Sequence, residues 1–119
     1  MEKLKLNDHR RYPRVKVQWP GVIKYRDHVI NVTAVDISVQ GIMAVSSFKV
    51  KPNQHVMLIL NCDFNEKKAV IYAKTRVKQI RVSHFKYNLI LAFEEISPKF
   101  RDLISDFISA NLQADYLPN

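Results

Sequence analysis

Two short stretches hold the side chains whose types and spacing could do chemistry. The first is His9-Arg10-Arg11-Tyr12-Pro13-Arg14, with Arg10 and Arg14 four residues apart. The second is Asp36-Ile37-Ser38-Val39-Gln40-Gly41, which follows a β-branched run and leads into an apolar one. Arginine offers a planar fork of donors that grips anionic oxygens bidentately. A carboxylate accepts hydrogen bonds, and a serine hydroxyl both donates and accepts. Asp36 and Ser38 are two apart, so on an extended backbone they share a face and make a small polar shelf at the lip of a sheet. The chain has only two glycines, Gly21 and Gly41. Each is expected to answer a backbone need, either positive φ or a close approach. Taken singly, a solvated basic tail accounts for the arginines and ordinary turn chemistry for Asp36 and Ser38. Together and in this order they describe a clamp, with a basic arm on one side and a polar turn on the other.

The elements that must position this clamp are mostly strands. Residues 1–14 are polar and charged, without a sustained apolar period, and read as a flexible basic arm. Pro13 pushes Tyr12 toward extended backbone. Val15 to Tyr25 alternates and is interrupted at Pro20-Gly21, most simply as a bulge or an edge. A strand from about His28 to Ile37 runs into the turn Ser38 to Gly41, and Ile42 to Ser46 continues beyond it. His55 to Leu60 is a short apolar strand. Ala69 to Gln79 places Ile71, Ala73, Thr75 and Val77 on one face and Tyr72, Lys74, Arg76 and Lys78 on the other. Tyr87 to Phe93 is the last strand. Ser97-Pro98 is a helix start, a hydroxyl cap with proline at the first helical position. Phe100, Leu103, Ile104, Phe107, Ile108 and Leu112 then recur with helical spacing. The expected architecture is all-β in the main, a six-stranded antiparallel β-barrel over residues 15–95 with a C-terminal amphipathic α-helix over 97–112 and a tail at 113–119. Short strands without βαβ alternation favour such a barrel. The helix is expected to cap one open end.

Composition bounds the rest. At 119 residues the chain is one domain by length, and 47% hydrophobic with 25% charged residues is ordinary for a globular fold. A net charge of +8, from 19 Lys+Arg against 11 Asp+Glu, favours an anionic partner. No apolar run approaches the roughly 18 residues of a membrane span. The charged beginning lacks the apolar stretch of a signal peptide, so the expected location is cytoplasmic. The single cysteine, Cys62, allows no internal disulfide and reads as a small apolar filler near a strand end. His9, His28, His55 and His84 are scattered, and none has metal-ligand spacing to Cys62 or an acid. No nucleophile elbow or phosphate loop appears. No residue is assigned a catalytic or metal-binding role.

An Arg-x-x-x-Arg arm followed by an Asp-x-Ser-x-x-Gly turn is the motif pair of the PilZ domain family, and the chain resembles that family over nearly its whole length. The resemblance implies a β-barrel that binds the bacterial second messenger cyclic di-GMP and is not an enzyme. It assigns the ligand to Arg10, Arg14, Asp36, Ser38 and Gly41, with Arg11 as a less certain contact. The chemistry agrees. An arginine fork can bond guanine O6 and N7 or stack on a purine face. Asp36 can accept from guanine N1–H and N2–H₂, and Gly41 lets the turn backbone sit close. In some relatives an arginine directly before the first motif arginine helps hold a second ligand molecule. Here that position is His9, which leaves one or two bound molecules open with a lean toward one. Without a second recognisable domain, the expected output is a changed surface offered to an effector protein, as a stand-alone receptor. Two other readings compete. A basic small barrel could bind nucleic acid through Lys74, Arg76 and Lys78, with Tyr25, Tyr72 or Tyr87 as stacking platforms. A ligand-free interaction adaptor would make the arm irrelevant.

Overall fold

Alternation of β-branched and polar residues gives each strand one face for a core, and β-bulges decide which residues use it. A computed structural model describes residues 12–116 of the chain, with side chains through residue 112. Six strands, β1 (Val15–Tyr25), β2 (His28–Ser38), β3 (Gly41–Ser46), β4 (His55–Asp63), β5 (Lys68–Ser83) and β6 (Lys86–Ile96), are followed by helix α1 (Pro98–Tyr116). All neighbouring pairs are antiparallel, and the order β1-β2-β3-β6-β5-β4 closes through β1 and β4. The expected barrel and helix are therefore both present. The helix runs four residues beyond the apolar stripe that ends at Leu112.

The wall is lined inside by Ile23, Ile37, Leu58, Leu60, Ile71, Val77, Leu89 and Leu91, all at 1% exposure or less. Burying one such side chain contributes about 1.5–3 kcal/mol. Two hydroxyls are buried with the wall, and both are satisfied: Thr75 donates to the Val56 carbonyl at 3.0 Å and Ser46 to the Phe48 carbonyl at 2.8 Å. Val50, from the loop between β3 and β4, is buried at one end of the barrel. Helix α1 closes the other. Ser97 Oγ accepts from the Phe100 amide at 3.3 Å, the expected cap. Ile104 and Ile108 are buried, and Phe107 meets Trp19 of β1 and Phe64 of the β4–β5 turn at ring-centroid distances of 5.4 and 5.5 Å. Trp19 and Phe64 complete the triangle at 5.3 Å.

Register irregularities fall on four strands, β1, β2, β5 and β6. On β1 the irregularity lies between Lys16 and Trp19, not at Pro20-Gly21. Pro20 pairs with Thr33 on β2, while the ladder to β4 begins one residue later at Gly21. The proline therefore sits where its missing N–H costs no β4 bond, the edge alternative of the two expected. Gly21 serves close approach, since a Cβ there would lie 2.6 Å from the Ile59 carbonyl oxygen. On β5 Lys78 is the extra residue opposite β6, so the buried series Ile71, Ala73, Thr75, Val77 gives way to Ile80 and Val82 on the inner side. This explains why a simple alternation stops near Gln79 while the strand continues to Ser83.

Candidate functional site

The site begins with one bulge. On β2, Ile30, Val32 and Ala34 are buried in strict alternation, which would send Asp36 into the core next. Between Ala34 and Asp36 the register against β3 slips by one, with Val35 as the extra residue. Ile37 takes the inward place, at 0% exposure, and Asp36 turns to the outer wall. Bulges commonly re-aim a side chain in this way.

Pairing then builds two outward rows across four strands. Asp36 lies opposite Met43, Met43 opposite Ile90, and Ile90 opposite Gln79. Ser38 lies opposite Gly41, Gly41 opposite Ala92, and Ala92 opposite Arg76. The row between them, Ile37, Ile42, Leu91 and Val77, is buried. On the outside this wall forms a cleft of about 540 Å³. Met43, Ile90 and Ala92 lie along its apolar floor. Asp36, Ser38 and Gln40 stand on one side, with Lys78 and Gln79 on the other, and Arg14 and Arg101 also line it. Its charged residues are three cations against one carboxylate, so the cleft favours an anion.

The β2–β3 turn is held from three directions. Ser38 Oγ accepts from the Gln40 amide at 3.1 Å, a local turn bond. The Phe93 amide donates to the Gln40 carbonyl at 2.7 Å. Arg101 of α1 donates to the Val39 carbonyl at 3.0 Å and ties the capping helix to the turn. Gly41 is present for closeness and not for handedness, since no glycine has positive φ. A Cβ there would collide with the Leu91 carbonyl oxygen.

The structure thus brings Arg14, Asp36, Ser38 and Gly41 together on one cleft. Arg10, Arg11 and His9 lie outside the described residues. Lys78, Arg101, Met43 and Ile90 are cleft residues that sequence reading did not assign to the site. In the sequence Lys78 reads only as part of a basic stripe. That stripe is partly neutralised, because Lys74 Nζ lies 3.6 Å from Glu95 and Arg76 Nε 3.8 Å from Glu94. Glu94 also meets His55 Nδ1 at 2.6 Å, a pairing that 39 residues of separation hide in the sequence. Among the described residues no three His, Cys, Asp or Glu side chains gather as metal ligands. Cys62 is buried, and burial pushes its thiol up to about 12. No helix among the described residues is long and apolar enough to cross a membrane.

A closed six-stranded barrel with a helix over one end and a cationic cleft on its outer wall defines the class of protein. The chain belongs to the PilZ domain family, whose pattern matches residues 8–110. Among solved structures it is similar to the Bacillus subtilis inhibitor of motility MotI/DgrA. That match has TM-score 0.76 and 21% identity over 89% of this chain and 53% of that one. It is also similar to YcgR of Escherichia coli in complex with c-di-GMP, with TM-score 0.72 and 18% identity over 90% of this chain and 50% of that one. The PilZ domain of YcgR with c-di-GMP matches at TM-score 0.69 and 16% identity, over 92% of this chain and all of that one. At these identities the likeness is one of fold, and the chain spans about half the length of the first two proteins. No curated protein sequence matches it.

Proposed function

We propose that the chain is a cyclic di-GMP receptor, not an enzyme, and that the ligand binds between the arm and the β2–β3 turn. The observation that carries this reading is the convergence of Arg14, Asp36, Ser38 and Gly41 on one cationic cleft. Membership in the PilZ family and c-di-GMP complexes of proteins with the same fold support it. Arg10 and Arg14 are assigned to guanine edges and phosphates, with Arg11 as an additional contact. Asp36 accepts from a guanine donor edge, and Ser38 adds a hydroxyl bond. Gly41 and Ala92 keep the floor low, and Met43 and Ile90 offer an apolar surface to a planar base. Lys78 adds charge at the opposite side. Ligand binding orders the arm against the wall, and the altered surface is read by an effector protein in the cytoplasm.

The nucleic-acid reading is weaker on a specific ground. Of the basic stripe, Lys74 and Arg76 already face acids, and of the three tyrosines only Tyr72 is well exposed, at 59%. The test is titration of the Arg14→Ala and Asp36→Ala proteins with cyclic di-GMP. Each substitution removes charged hydrogen bonds of about 1.5–3 kcal/mol and should weaken binding by roughly 10- to 150-fold with the fold intact. Unchanged affinity in both proteins would sink the clamp.

A further inference from the structure

The β5–β6 hairpin extends past the barrel. The β4 ladder on β5 ends at His55 opposite Arg76, and the loop before β4 adds two backbone bonds at Val77. Beyond them, Gln79 to Ser83 pair only with β6 among the described residues. Ser83 and Lys86 close a two-residue loop, so their backbone groups bond each other. Alternation then directs the N–H and C=O groups of Ile80 and Val82 away from β6, to an edge with no strand partner among the described residues. The same two residues continue the inner, apolar phase past the rim, where Val82 is 72% exposed. Arg81 and Gln79 occupy the outer face.

Three features distinguish this edge from an ordinary strand end. Its tip holds His84 and Phe85 at φ 50° and 67°, left-handed backbone that a phenylalanine rarely adopts. Phe85 is held there at 99% exposure. From Lys78 to Asn88 the sequence carries Lys78, Arg81 and Lys86 and no acid. Among the described residues Arg81 bonds Gln79, at 3.4 Å, and meets no acid. Two copies pairing edge to edge would set these cations against each other, which disfavours self-association. A covering strand from elsewhere would find backbone partners, an apolar row at Ile80 and Val82, and positive charge on the other face.

We propose that this edge receives an extended segment of a partner protein, added antiparallel or parallel to β5, in which apolar residues alternate with acidic ones. Its apolar side chains lie beside Ile80 and Val82 and its carboxylates beside Arg81, while backbone bonds supply the register. The inference does not depend on the ligand bound in the cleft. Lys78 and Gln79 nevertheless line that cleft and lead directly into the edge, so the two sites share one strand.

The test is selection of nine-residue peptides from a combinatorial display library on the full chain without nucleotide. Amide NMR titration with the enriched peptide, and with a twelve-residue oligothymidylate, follows. Expected are sequences alternating apolar and acidic residues, with shifts concentrated at residues 79–86. Val82→Pro, which removes a free-edge donor without removing a β5–β6 bond, should weaken the peptide at least tenfold. Arg81→Glu should exchange the preference for acidic peptides for one for basic peptides. No enrichment, enrichment of acidic runs without alternation, shifts spread over the surface, or equal shifts with the oligothymidylate would each overturn the proposal.

Discussion

At the scale of residues, Asp36 reaches the cleft only because Val35 is accommodated as a bulge. The acid, the hydroxyl and the glycine were legible in sequence as a turn with a polar shelf, and the structure sets them on one wall. What was not legible is the opposite side. Lys78 and Ile90 arrive through strand pairing, and Arg101 through a helix 62 residues beyond the carbonyl it holds. No local spacing encodes such neighbours. Gly41 makes a sharp case. Gly41→Ala sets a methyl group against the Leu91 carbonyl, and the β3–β6 contact must part to admit it. We expect a loss of about 1–3 kcal/mol of stability, read by urea denaturation, together with weakened ligand binding. An alanine protein as stable as the parent would mean that the strands have slack at this point.

Cys62 gives a second residue-level prediction. Its thiol rises from 9.0 to about 12 because burial disfavours the thiolate. In the unfolded chain the thiol ionises from about pH 9 upward, while the folded form still holds its proton. Stability from this group is therefore fully present below pH 9 and is lost as pH rises from there toward 12. Alkylation of the native protein at pH 8 should be much slower than in denaturant. Equal rates in the two states would show that Cys62 is accessible.

At the scale of elements, alternation located every strand, and the helix start was legible from Ser97-Pro98. Bulge positions were not, because one extra residue in a strand has no compositional mark. Alternation alone therefore ends β5 near Gln79 and puts the break in β1 at Pro20-Gly21. Yet the bulges at Val35 and Lys78 are what place polar side chains on the cleft. Helix α1 has two tasks, closing the barrel through Phe107 and tethering the turn through Arg101. Phe107 is only partly buried, so Phe107→Ala should cost about 2–3 kcal/mol, somewhat less than the roughly 3–5 kcal/mol of a fully buried phenylalanine. Thermal unfolding reads this directly. A cost near zero would mean that the helix does not close the barrel.

At the scale of the whole molecule, the barrel closes through β1 and β4, and β5 outruns β4 to leave an edge beyond it. The net charge of +8 was the least specific feature of the sequence. The fold distributes it unevenly, pairing part of it with Glu94 and Glu95 and gathering part at the cleft. That arrangement suits a small dianion held in one place more than a polyanion spread along a face. The most direct measurement is calorimetric titration of the chain with cyclic di-GMP, alongside GTP and a short single-stranded oligonucleotide. Saturable binding of cyclic di-GMP, with neither control approaching its affinity, is the predicted result. Absence of that binding, or equal binding of the oligonucleotide with a steep salt dependence, would contradict the account.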